Sequence, residues 1–105
     1  MTEFKFNSKI LGTSFRPDAS EIIRSFMEPG DLLYLQAEPT NEYDKNAIQI
    51  FFGEEFIGYI AKETAAKINS DVLWENVICT VANITGEGMP NAGCNLEITV
   101  VRDDD

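Results

Sequence analysis

With 105 residues the chain is sized for one domain, which at that length buries roughly 60 to 70% of its unfolded surface and needs no disulfide or metal staple to fold. Eighteen acidic against eight basic residues give a net charge of -10, and that field opposes non-specific attachment to nucleic acid or anionic membrane, so any nucleic-acid contact must be confined to a local groove. No apolar run approaches the roughly 18 to 20 residues of a membrane span, and Met1-Thr2-Glu3-Phe4-Lys5-Phe6 lacks the layout of a signal peptide, so a cytoplasmic protein with no membrane contact is expected. With no histidine and no C-x-x-C spacing, Cys79 and Cys94 read as buried thiols, and neither a metal nor a cofactor is implied.

Phe4, Phe6, Ile10 and Leu11 predict an opening strand, with a kink near Asn7-Ser8. Ala19, Ile22, Ile23, Phe26 and Met27 follow the i, i+3, i+4, i+7, i+8 stripe of a helix facing a core. Asp18 stands at its N-cap position and Pro29-Gly30 behind its end. Leu32 to Ala37 reads as a strand, and Ile48, Ile50 and Phe52 share one face of the next. Gly53-Glu54-Glu55 turns that strand onto Phe56 to Ile60, making a hairpin. Lys62 to Asn69 has the composition of a short helix with Ala65 and Ile68 inward. Trp74 to Ile84 alternates as a long strand, and Trp74 is expected to fill core or cover a barrel edge. Gly86 to Gly93 is a glycine-rich connection; it lacks the Lys-Ser/Thr ending of a phosphate loop. In the last strand, from Cys94 to Val101, Leu96, Ile98 and Val100 share a face. The sum is a mainly β chain with two short helices, in which six strands form a small, partly closed barrel. Residues 1–102 form its single domain and residues 103–105 an acidic disordered tail.

One stretch concentrates chemistry. Glu38-Pro39-Thr40-Asn41-Glu42-Tyr43-Asp44-Lys45-Asn46-Ala47-Ile48, then Phe56-Ile57-Gly58-Tyr59-Ile60 and Lys62-Glu63, bring together aromatic rings, carboxylates, an amide and ammonium groups. A ring stacks on a base, a cation holds phosphate, and a carboxylate accepts a hydrogen bond from a sugar hydroxyl while repelling a phosphate.

This stretch, with Gly30-Asp31-Leu32 before it, Gly12-Thr13-Ser14-Phe15-Arg16 further upstream and Asn91 to Val100 downstream, resembles the HIRAN domain signature over nearly the whole chain. The resemblance implies a modified oligonucleotide-binding barrel of six strands and two helices. Such domains occur at the N-terminus of some DNA-repair helicases and as small standalone bacterial and phage proteins. Well-understood members bind single-stranded DNA at its free 3' end. Carried over by position, this implies Tyr43 as the stacking ring, Asp44 as acceptor for the terminal hydroxyl and Lys62 as phosphate partner, with Tyr59 as a second ring and Arg16 as a looser match; Lys45 and Asn46, in the same motif, are further candidate contacts. Glu42 departs from the family, which usually has proline there.

From the residues alone, bland alternatives remain open. Asp44 and Asn46 are loop formers whose side chains bond nearby backbone. Tyr43 and Tyr59 suit a barrel end, and Arg16, Lys45 and Lys62 suit a solvated surface. For the whole chain, a non-catalytic module binding DNA ends in repair or replication processing, with a DNA-processing protein as a possible partner, stands against an acidic protein-interaction module or DNA mimic. A metal-dependent nuclease built on Asp31, Glu38 and Asp44 lacks any recognised acidic spacing.

Overall fold

The computed structural model describes every residue except 1, 17, 72–76, 90–91 and 103–105. Trp74 and the acidic tail therefore lie outside the described residues. Six strands, β1 (Thr2–Leu11), β2 (Leu32–Ala37), β3 (Ile48–Phe52), β4 (Glu55–Ile60), β5 (Val77–Thr85) and β6 (Gly93–Arg102), pair antiparallel in the order β1-β4-β3-β2-β5-β6. Pairing of β6 with β1 makes the barrel fully closed rather than partly so. Two helices pack on it, α1 (Ala19–Phe26) and α2 (Lys62–Asp71).

Alternation along each strand sends one set of side chains inward. Ile48, Ile50, Ile57, Leu96, Ile98 and Val100 are fully buried, joined by Ile23 of α1 and Ala65 and Ile68 of α2. Each such aliphatic side chain contributes roughly 1.5–3 kcal/mol relative to exposure, so this set supplies most of the driving force. Cys79 and Cys94 are buried free thiols within it. Burial pushes Cys79 up to about 12, aided by its neighbour Cys94, and Cys94 to about 11.

Two local expectations are corrected, at Asp18 and at Phe26. β1 runs as one strand through Asn7-Ser8, where a kink was expected, and changes partner just beyond, pairing with β6 through Lys9 and with β4 from Ile10 onward. Ser8, buried at this change of partner, donates its hydroxyl to the Lys9 carbonyl and accepts from the Ala61 N–H, while Thr64 donates to the Asn7 carbonyl. These bonds pin the start of α2 over the crossing. Asp18 occupies the N-cap position of α1 without a side-chain cap bond, because its backbone is already helical (φ -97°, ψ -7°) where capping needs an extended residue. Phe26, the last member of the apolar stripe, is 64% exposed. The helix ends on it, and Met27 turns extended and takes the inward place.

Candidate nucleic-acid interface

Between β2 and β3, residues 38–47 form a compact loop closed at its base by the Glu38 N–H to the Ala47 carbonyl at 2.8 Å. Asn41 organises its interior. Its side-chain oxygen accepts from the Tyr43 and Asp44 N–H groups at 2.8 and 3.0 Å, and its amide donates to the Glu38 carboxylate at 2.8 Å. One oxygen of Asp44, Oδ1, accepts from the Asn46 N–H at 2.9 Å, an Asx turn. These bonds use backbone groups that a loop must otherwise leave to water. They leave Tyr43 92% exposed.

The loop overhangs a cavity of about 560 Å³, walled by Glu38, Asn41, Glu42, Tyr43 and Asp44 together with Leu11, Tyr59 and Lys62. Tyr59 comes from β4, and its hydroxyl donates to Glu38 at 3.3 and 3.4 Å from the two carboxylate oxygens. Lys62 opens α2 and lines the cavity from its first turn, whose leading N–H groups have no intrahelical partner. Gly12, at φ 81°, ends β1 and leads into a 3-10 turn (Thr13–Phe15). That turn delivers Arg16, whose guanidinium lies on the Phe56 ring 3.5 Å from its centroid and 5.9 Å from that of Tyr59. Phe56 in turn meets Tyr59 edge-on at 5.3 Å and Phe51 at 5.4 Å.

Four of the seven residues singled out in the sequence, Tyr43, Asp44, Tyr59 and Lys62, therefore wall one cavity. Arg16 approaches it through Tyr59. Lys45 and Asn46 sit on the same loop, exposed and away from the walls. Sequence reasoning considered Glu38 only as a metal ligand of a nuclease and did not single out Asn41, although both stand in the motif as polar groups. Three carboxylates, Glu38, Glu42 and Asp44, face one ammonium, Lys62. Among the described residues no cluster of carboxylates and thiols is disposed to hold a metal ion.

A closed six-stranded barrel with two helices and an aromatic and carboxylate cavity between a loop and a helix start defines an OB-like module. The HIRAN domain model matches residues 4–103, and the chain belongs to that family. Two solved structures share the fold. The HIRAN domain of human HLTF is 22% identical, with a TM-score of 0.63 over 91% of this chain and 74% of that one. A protein from Lactobacillus plantarum is 18% identical, with a TM-score of 0.65 over 95% of this chain and 100% of that one. No curated protein matches the chain.

Proposed function

We propose that this domain binds single-stranded DNA at its free 3' end, without catalysis of its own, in the processing of DNA ends. The observation that carries the reading is the convergence of Tyr43, Asp44, Tyr59 and Lys62 on one cavity of about 560 Å³. The exposed Tyr43 ring offers a stacking surface worth about 1–3 kcal/mol per base. Asp44 spends Oδ1 on its own loop, and Oδ2 accepts the terminal hydroxyl.

The acidic walls fit an end rather than a continuous strand. A terminal nucleoside carries an uncharged sugar and base, with hydroxyl and amino hydrogens for Glu38 and Glu42 to accept. A phosphodiester there would face three carboxylates at close range. Within this cavity the phosphate on the 5' side of the terminal nucleotide needs a cation, and Lys62 supplies it.

The deciding measurement compares oligonucleotides ending in 3'-hydroxyl and 3'-phosphate at low salt. The hydroxyl form binds at least about tenfold tighter, and Asp44→Ala erases the difference. Equal affinity for both ends, or none for either, removes the mechanism.

A second reading, an acidic protein-interaction surface, is favoured by a groove in which Asp18, Glu21 and Glu55 rim Ile22, Phe26 and Phe52. Its mark is a basic partner whose binding is lost in Phe26→Ser and competed by added DNA.

A further inference from the structure

Two routes lead out of the end cavity for the strand 5' of the terminal nucleotide. One passes Arg16 and Phe56 toward the groove rimmed by Asp18, Glu21 and Glu55. Three carboxylates oppose a phosphate backbone there, and the Arg16 guanidinium is already laid on an aromatic ring. The other passes Leu11, a side chain shared by the end cavity and a second cavity of about 620 Å³ between β1, the start of α2 and the β5–β6 pair.

This second cavity exists because β1 changes partner after Lys9, so that β4 and β6 diverge and α2 roofs the gap through the Ser8 and Thr64 bonds. Lys9 and Asn95, paired across β1 and β6, line it, as does Asn7. Asn95 donates one amide hydrogen to Asn83 at 2.9 Å and keeps its own carbonyl as an acceptor. Strand alternation puts Lys5, Asn7, Lys9 and Leu11 in one outward row, all exposed. Lys5 and Lys9 stand about 13 Å apart at 3.3 Å per residue, a spacing suited to phosphates two steps apart on an extended strand. Glu3 continues this row beyond Lys5, and Glu63 and Glu97 flank it, so three carboxylates accompany Lys5 and Lys9.

Resting on the end-binding reading, we propose that the DNA strand leaves the terminal pocket over Leu11 and runs 5'-ward along the outer face of β1. Its second and later nucleotides occupy the β1–α2 groove, with Lys9 and Lys5 on phosphates two steps apart and Asn7 and Asn95 against base edges. The strip is the less acidic of the two routes, because its lysines offset carboxylates that in the other groove stand without a lysine among them.

The test uses thymidine oligonucleotides of two and six residues with free 3'-hydroxyls, titrated against wild type and a Lys5→Ala/Lys9→Ala double variant by fluorescence anisotropy. Both lysines are exposed, and circular dichroism checks that the variant stays folded. In wild type the hexamer binds about tenfold tighter than the dimer, and the salt slope of log affinity steepens by about 1.4 for two further phosphates. The double variant keeps the dimer affinity and loses the gain with length. A gain that survives in the double variant, or wild-type affinity independent of length, overturns the path while leaving end binding in place. A hexamer gain that grows instead in Asp18→Asn/Glu55→Gln puts the strand on the other route. Failure of wild type to bind even the dimer removes the end-binding reading, and the path with it.

Discussion

The Tyr59 hydroxyl reaches Glu38 across the cavity floor, 3.3 and 3.4 Å from the two carboxylate oxygens, joining a strand to the foot of the recognition loop. Both distances are long for an O–H···O bond, so the contact positions more than it stabilises. Tyr59→Phe keeps the ring and removes the tether. Stability falls by less than about 1 kcal/mol, while affinity for a 3'-hydroxyl oligonucleotide drops about threefold to tenfold. Parallel urea unfolding and binding titrations separate the two effects.

The Asn41 side chain makes three hydrogen bonds inside the loop, two from backbone N–H groups and one to the Glu38 carboxylate. Asn41→Ala orphans both donors and costs about 1–3 kcal/mol, with faster amide exchange at Tyr43 and Asp44. Asn41→Asp keeps the acceptor but sets a second carboxylate against Glu38, so its stability lies between the two. Denaturant midpoints and residue-resolved hydrogen exchange give the order.

Gly58 sits where β4 passes closest to β1. A Cβ there would stand 2.6 Å from both the Leu11 carbonyl oxygen and the Ile10 side chain. The carbonyl belongs to the ladder and cannot rotate away, so Gly58→Ala lowers stability by about 1–3 kcal/mol and lowers Tm accordingly. Gly53→Ala, at φ 61° with open space around it, is strained only by its backbone and is milder.

The two core thiols make the fold sensitive to alkali. Their folded-state values, about 12 and about 11, lie above the ordinary value of 9.0 that they regain on unfolding. The neutral thiols' contribution is thus complete below about pH 9 and is lost as pH rises through that range, because the unfolded chain ionises first. Each thiol steepens the fall by at most about 1.4 kcal/mol per pH unit. Urea unfolding at pH 7, 9 and 10.5 reads the slope, and a Cys79→Ala/Cys94→Ala variant, less stable at neutral pH, shows a shallower one.

Periodic features were legible in the sequence because they depend on spacing alone. Ala65 and Ile68 turn inward from α2, and Leu96, Ile98 and Val100 share the buried face of β6, as their intervals require. Phe26 misled because a stripe does not announce where the helix stops, and a single extended residue at Met27 reassigns the inward place. Within the loop, the three Asx side chains Asn41, Asp44 and Asn46 compete for the same turn geometry. That Asn41 captures two backbone N–H groups follows from the closure of the loop between Glu38 and Ala47, which local composition does not encode. Charge behaved likewise: the total of -10 was known at once, whereas the separation of Lys5 and Lys9 from the acidic groove beside α1 required the fold.

The crossing in β1 bears on how the chain assembles. The first strand holds β4 through only Ile10 and Leu11 and commits the rest of its length to β6, from Thr2 against Arg102 to Lys9 against Asn95. Closure therefore waits for contacts spanning nearly the whole sequence, whose loop entropy must be met before they repay it, and slow folding is the expected kinetic result. Until that last strand docks, β1 and β5 each expose an unpaired edge able to recruit another copy. The strand that shapes the binding groove is thus also the one most dependent on the final strand being in place.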